Sequence, residues 1–463
     1  MKRPLVLAVL LAATLAGGAQ SSDSAFIRRL SDEILSNSNA YDNLRQLTKG
    51  VGARLAGSPG MVKAEQWGEK ALQAAGADRV WLQECLVPHW VRGGKDVFRA
   101  EHLAASSGKT RKWSTRSLAV LALGNSKGSM KALRAPVLVV SDFAELDRKK
   151  DSVAGKIVFF NYKFNPRFVH TFESYRDAVQ YRGQGPVRAA RYGAVGAVVR
   201  SMSHSTDNHP HTGGTAFGDT VKTVPAVAVG LRDADWLDST LRSGTAVWGS
   251  LQTAGRFLPD TVGHNVIGEL RGAEFPDSII TIGGHLDSWD PAEGAHDDGA
   301  GIVHTIEVLR AFKALGYQPR HTIRFVLFAN EENGLRGGRK YAEEAVAKGE
   351  KHLLALESDE GGFTPRGFGF TVSDAQWEKL RAWLPLVAPY GASEWKRGGG
   401  GADIGPLATA LKTPTVGFIP DSQRYFDVHH ASNDVFELVN KRELELGAVN
   451  IAALIYLVDK YGL

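Results

Sequence analysis

Five short stretches in the C-terminal half each end an apolar run with a residue of metal-ligand type: His285 in GGHLDS, Asp297 in AHDDGAG, Glu332 in ANEENG, Asp359 in ESDEGG and His430 in VHHASND. Two imidazoles and three carboxylates make the ligand set of a paired-zinc hydrolase. Zinc binds imidazole nitrogen and carboxylate oxygen, so one His and one acid per ion, with a further acid shared, give each ion three protein ligands and leave a place for a bridging water. Asp297 is read as the shared acid, because its Gly-flanked turn lets the backbone bring a short carboxylate between two ions. Its neighbour Asp298 is read as fixing the turn. Alone, the pair would be an N-cap for the helix that follows; four companion ligands turn the reading toward metal.

Glu331 and Glu332 sit side by side at a strand end, so their side chains leave the backbone in different directions. Glu332 is read as a ligand. Glu331 is read as the general base that takes a proton from the attacking water and delivers it to the leaving amine. In the H-x-D pair His285 and Asp287, the Asp carboxylate is expected to receive the ring N–H of the imidazole. Chemistry alone does not separate Asp359 from Glu357 and Glu360, or His430 from His429. His204, His209 and His211 read as a surface loop. GGGGAD (Gly398 to Asp403) lacks the strand, helix start and Lys of a phosphate loop and reads as a flexible rim of the site.

The elements that must carry these residues repeat as strand then helix. SIITIG leads to His285, TIRFVLFA to Glu331 and LLALES to Asp359, while TPTVGFIP is a further strand and Leu444 to Tyr461 a closing helix. Strands that are apolar throughout and separated by helices indicate an α/β fold: a mainly parallel, mixed sheet with helices on both faces, whose ligands bind beyond the C-terminal strand ends. Upstream, two helical segments surround LTKGVGARLAGSPG, and strands are expected at Arg79 to Val87, Val97 to Ala104 and Leu118 to Leu123. A Gly/Ser-rich break at Gly124 to Ser129 opens a compact block of short strands with two helices, Pro186 to Tyr192 and around Ala234 to Ser243.

Lys2 and Arg3, the apolar run Leu5 to Ala16 and the small residues after it have the layout of a secretory leader. The chain is therefore expected to be secreted or periplasmic after cleavage near Gln20, with no membrane span. Cys85 is the single cysteine, which excludes an intramolecular disulfide, and it reads as a buried small hydrophobe. The net charge of +5 comes without a long basic block, so nucleic acid is not an expected partner.

The motifs GGHLDSWD, HDDGAG, NEENGLRGGRKYA, ESDEGG and HHASND resemble those of the M28 zinc exopeptidases, most closely the carboxypeptidase Q branch. That resemblance covers most of the chain after the leader. It implies two Zn2+, His285 and Asp359 on one, Glu332 and His430 on the other, Asp297 shared, Glu331 as base and Asp287 behind His285. It selects His430 because the family's ligand His lies four residues before an Asp, here Asp434. The block with GKIV, GAVGAVV and VPAVAV resembles a protease-associated domain. The implied organisation is a leader at 1–19, a first part of the peptidase domain at 20–125, the smaller α/β insert at 126–258 and the metal-bearing part at 259–463. In one departure, His429 stands where many members carry a Tyr that helps hold the reaction oxyanion, so His429 or Tyr425 is the expected stand-in.

The implied activity is hydrolysis of the N-terminal peptide bond of a dipeptide or short peptide, with Asp403 and Arg424 as candidates for binding the charged substrate ends. A homodimer is the assembly to test. Two other readings compete: a single-zinc glutaminyl-cyclase-like enzyme, and a non-catalytic receptor or binding ectodomain of the same fold.

Overall fold

The computed structural model describes residues 22–104, 112–129, 131–218, 220 and 222–463. The expected leader at 1–19 lies outside the described residues. A first sheet has the strand order Arg79–Val91, Arg256–Leu270, His321–Phe328, Phe275–His285, Lys351–Glu357, Thr415–Pro420, Pro365–Thr371 and Glu394–Arg397. The third to sixth of these run parallel, and antiparallel strands flank them on both sides. The parallel centre is the part the apolar runs predict: every residue of His321–Phe328 is buried, as expected where helices cover both faces.

Alternation along that strand divides the core. Ile323, Phe325 and Leu327 face the helices Ala300–Ala314, Lys441–Tyr461 and 22–37, whereas Val326 and Phe328 face Arg336–Lys348 and Gly405–Leu411. The Lys441–Tyr461 helix lies close on Ala300–Ala314 because Gly447 has no side chain: a Cβ there would meet His304 Nε2 at 2.4 Å. Among the described residues no helix is long and apolar enough to cross a membrane.

A second sheet has the order Lys112–Leu118, Val97–Ala104, Val247–Gln252, Leu133–Val140, Ile157–Phe160, Gly196–Arg200, Ala226–Val229 and Val120–Ala122. It spans residues 97–252 and therefore starts before the break at 126. The strands at 97–104 and 112–122, read from sequence as part of the first unit, belong to it. They are drawn in by Val97–Ala104 pairing with Val247–Gln252, a contact across about the whole length of the block. At its other end the strand Arg256–Leu270 crosses the expected limit at 258 and belongs to the first sheet. Besides Gly185–Arg191 and Leu231–Arg242, the second unit contains helices Phe143–Arg148 and Thr171–Gly183, which the sequence reading lacks.

Candidate active site

Four adjacent parallel strands end on one rim. Phe275–His285 ends in His285; Glu331 and Glu332 follow His321–Phe328; Asp359 follows Lys351–Glu357; and His430 follows Thr415–Pro420 through the short helix Tyr425–Val428. Asp297 enters from the turn between His285 and the Ala300–Ala314 helix. Two missing side chains make that turn: a Cβ on Gly284 would lie 2.4 Å from Asp298 Oδ2, and one on Gly301 would lie 1.8 Å from the Ser358 carbonyl oxygen and 2.5 Å from both Asp298 oxygens. The space admits the Asp298 carboxylate, which accepts the N–H groups of His285 and Gly301, each at 3.0 Å. Asp298 thus ties the turn while Asp297 projects into the site. The Asp297–Asp298 peptide is cis. Asp434 supports the same turn, its two oxygens accepting the N–H groups of His296 at 2.8 Å and Asp297 at 3.1 Å.

The site has two halves joined by Asp297. His285 Nε2 lies 3.2 Å from Asp297 Oδ1 and 3.2 Å from Asp359 Oδ1. His430 Nε2 lies 3.2 Å from Asp297 Oδ2 and 3.1 Å from Glu332 Oε2. Two donors bound to one zinc at about 2.0–2.1 Å in tetrahedral geometry stand about 3.3 Å apart, so these spacings fit a shared cation. Asp297 Oδ2 points to the same fit: it is buried without a hydrogen bond although His430 Nε2 lies 3.2 Å away.

The electrostatics agree. Burial alone would lower the pKa of His430, but the carboxylates of Glu332 and Asp297 outweigh it and push the imidazole up to about 10. Burial would likewise depress His285, yet Asp359 and Asp297 raise it well above the usual range. Acids that draw protons so strongly onto imidazoles call for a cation.

The outer nitrogens of both rings face carbonyls. His285 Nδ1 lies 3.0 Å from the main-chain oxygen of Asp287, and the Asp287 carboxylate is 3.8 Å away. The expected ring-to-carboxylate bond is therefore replaced: the carboxylate accepts the N–H groups of Glu331 at 3.0 Å and Glu332 at 3.4 Å, which leaves the carbonyl for the ring. His430 Nδ1 lies 3.2 Å from the Thr212 carbonyl oxygen. With Nδ1–H donated outward, each Nε2 presents its lone pair to the site. His429 stacks on His430 with ring centroids 3.6 Å apart, and its Nε2 is 3.8 Å from Asp297 Oδ2. His429 thus also falls within ligand range of Asp297, but His430 is the ring that meets Glu332.

Glu331, Tyr425 and His429 line a cavity of 580 Å³ with the ligand side chains. Burial pushes the Glu331 carboxyl well above its ordinary range, with Asp359 and Glu332 adding to the rise and His285 opposing it. A carboxylate made more basic in this way is a stronger proton acceptor than an exposed one. Asp403 and Arg424 lie elsewhere. Asp403 is fully buried behind the site with both oxygens unpartnered, next to Glu357, which accepts its N–H at 3.4 Å. Arg424 is exposed and pairs with Glu443 at 3.4 Å. The glycine run before Asp403 is no flexible rim, because Gly399 and Gly401 pack against Gly369 and the Glu357 carboxylate too closely for any side chain.

Other residues escape the sequence motifs. Arg54, fully buried, donates Nε to Leu286 O at 2.5 Å, Nη1 to Glu293 O at 2.6 Å and Nη2 to Gly294 O at 2.8 Å, tying down the loop between His285 and Asp297. The second unit reaches the site through Thr212 and Arg182. Arg182 Nη1 donates to the Thr212 carbonyl at 3.2 Å, and Nη2 donates to Tyr175 Oη at 2.6 Å. The loop expected at the surface is buried at His211 and Thr212 and exposed at His204 and His209.

Residues 265–455 match the model of peptidase family M28. Carboxypeptidase Q of Mus musculus is 32% identical over 420 residues, covering 90% of this chain and 85% of the relative, and the Homo sapiens protein is 31% identical over the same length. The crystal structure of a peptidase M28 precursor from Shewanella amazonensis superposes with a TM-score of 0.87 at 32% identity, covering 95% of this chain and 97% of that one. An aminopeptidase from Aneurinibacillus shares the fold at a TM-score of 0.61 and 22% identity. With these matches and a site of this composition, the chain belongs to peptidase family M28 and is a metallopeptidase.

Proposed function

We propose that this chain is a dizinc exopeptidase that hydrolyses the N-terminal peptide bond of dipeptides or short peptides. The observation that carries the reading is Asp297, whose two oxygens each lie 3.2 Å from the Nε2 atom of a different histidine, His285 and His430. One ion would be held by His285, Asp359 and Asp297, the other by His430, Glu332 and Asp297. When bound, zinc supplies a Lewis acid for the scissile carbonyl and makes a nucleophile of water near neutral pH. Glu331 takes the proton from the attacking water on its carboxylate and passes it to the leaving amine nitrogen. Asp287 is a positioning residue, because its carboxylate fixes the main chain of both Glu331 and Glu332. Tyr425 and His429, with ring centroids 5.2 Å apart in the cavity wall, are the side chains assigned to the reaction oxyanion.

Substrate length follows from the cavity. Its 580 Å³ lies within the range of about 300–1,000 Å³ typical of small-molecule sites, which suits a short peptide better than a folded protein. We read the second unit as a protease-associated insert that closes one side of this cavity, and the N-terminal pattern as an export leader. The test is Glu331→Gln. The variant is expected to keep two zinc ions per chain and lose about 10²–10⁴-fold in kcat. Substantial remaining turnover would remove Glu331 as the base, and full activity with one zinc per chain would contradict the shared role of Asp297.

A further inference from the structure

Three asparagines form a directional relay into the cavity. Asn330 and Asn333 flank the two glutamates at the strand end, while Asn125 lies within the second unit, just after its strand Val120–Ala122 and more than 200 residues away. All three are buried, and Asn125 and Asn330 hold left-handed backbone with φ of 64° and 62°. Asparagine tolerates that region better than most residues.

The direction of the relay is set by a group that can only donate. The main-chain N–H of Arg336 donates to Asn330 Oδ1 at 3.3 Å, so Nδ2 of Asn330 must face the other way. That nitrogen donates to Asn333 Oδ1 at 2.5 Å, and Asn333 Nδ2 in turn donates to Asn125 Oδ1 at 3.3 Å. The Asn125 oxygen is therefore occupied. Its Nδ2 is the free end of the chain, without a partner among the described residues, on a side chain that lines the cavity. Gly214 and the Glu332 main chain lie beside it: a Cβ on Gly214 would be 3.8 Å from Asn125 Nδ2 and 3.6 Å from the Glu332 carbonyl oxygen.

The charges around this donor point to what it receives. Arg182, Arg336 and Arg339 line the same cavity, and none has an ion-pair partner among the described residues. Arg182 is only 7% exposed, with its Nε buried and unbonded. The acids of the cavity are gathered at the two metal clusters, so the wall near Asn125 carries unpaired positive charge and a prearranged N–H donor. Such a wall accepts an anion.

The geometry points to Asn125 as the residue that receives the substrate's C-terminal carboxylate, its amide aimed by the Arg336–Asn330–Asn333 relay and the charge balanced by the neighbouring guanidiniums. The assignment rests on the exopeptidase reading for the identity of the anion, and it makes a free C-terminus, hence a dipeptide or very short peptide, the preferred substrate.

The test compares Ala-Leu with Ala-Leu amide on the zinc-loaded protein. In the wild type, kcat/KM is expected to favour the free acid by about ten- to a hundredfold, the effect of a charge-assisted hydrogen bond. Calorimetric binding of the same two ligands to Glu331→Gln should show the same preference. Asn125→Asp keeps the shape and tolerates the backbone but turns a carboxylate toward the ligand; it should erase the preference. Asn330→Asp accepts from Arg336 but cannot donate to Asn333. The two amides beyond must then turn over, leaving an oxygen of Asn125 toward the cavity, so this variant should also lose the preference although it does not touch the ligand. A wild type without preference, or an Asn125→Asp variant in which both ligands weaken equally, overturns the assignment, the second result moving the donor to the peptide carbonyl. If neither ligand is cleaved but the binding preference and its loss in both variants are observed, the peptidase reading fails and the carboxylate site stands.

Discussion

Replacing Arg54 by Met tests how the loop leading to Asp297 is held. The guanidinium donates to the carbonyls of Leu286, Glu293 and Gly294, and the loop they belong to leads into Asp297 through the Gly299 N–H bond to Gly294 O at 3.0 Å. Two effects oppose one another. Burial of the cation is unfavourable and lowers its pKa, against the attraction of Asp434, Asp287, Asp298 and Glu332, so removing it relieves desolvation. However, Met leaves three buried carbonyls without their donor. Removing one side of a buried charged interaction costs about 3–5 kcal/mol, while an unsatisfied buried acceptor costs about 1–3 kcal/mol. The carbonyls outnumber the cation, so the loss wins, and we expect about 3–5 kcal/mol of destabilisation. In a chain of 463 residues unfolding as one unit this corresponds to a fall in melting temperature of about 3–5 °C.

Chelation adds a second expectation. With metal removed, the acids around the turn depend more on Arg54 for positive charge, so calorimetry should show a larger fall for Arg54→Met in chelator than in zinc. Arg54→Lys should recover part of the loss, because an ammonium restores charge but cannot span all three carbonyls as a planar fork does. A fall of under about 1 kcal/mol, or the same fall with and without metal, would refute the reasoning.

Two further outcomes follow from buried groups away from the ligands. His304 is neutral in the folded protein: its Nε2 lies 3.0 Å from the Leu444 carbonyl and its Nδ1 3.0 Å from Ser358 Oγ, and burial pushes its pKa down to about 4. An unfolded histidine titrates near 6.5, so between about pH 6.5 and 4 the unfolded chain takes up a proton that the folded chain does not, and acidification costs about 1.4 kcal/mol per pH unit. His304→Gln should therefore lose about 2 kcal/mol less stability than the wild type between pH 7 and 5 in denaturant titrations; parallel losses would sink the assignment. Cys85 is 5% exposed, and burial, with Glu65 and Asp287 adding, pushes its thiol up to about 12. Ellman's reagent at pH 8 should find no reactive thiol in the native protein and one per chain in guanidinium, and prompt labelling of the native chain would contradict the burial.

What the sequence discloses here is what a single strand end can carry. His285, Glu332 and Asp359 are each announced by the apolar run before them, because a strand covered on both faces must be apolar along its length and its last residue must leave the sheet at the shared rim. The glycines of GGH and GAG are equally local, making room for Asp298. What holds these residues is set by pairs distant along the chain. Asp287 serves the amides of Glu331 and Glu332, 44 and 45 positions on, so the H-x-D spacing misassigns its carboxylate. Thr212 receives the His430 ring across 218 residues, and Arg54 binds a loop more than 230 residues away. The edge strand Lys112–Leu118, exposed at all but its last residue, carries no periodic signal of the sheet it joins, so the second unit begins earlier than the Gly/Ser-rich break suggests. Asp403 shows the converse failure. A charged residue after four glycines reads as a mobile rim, yet close packing of those glycines against Gly369 and Glu357 buries it completely. In this protein the residues that would touch metal are local motifs, whereas those that aim them, and the Asn125 amide offered to substrate, are products of tertiary contact. Variants of the second group should alter substrate preference, stability and metal retention separately, while variants of the first should abolish turnover together.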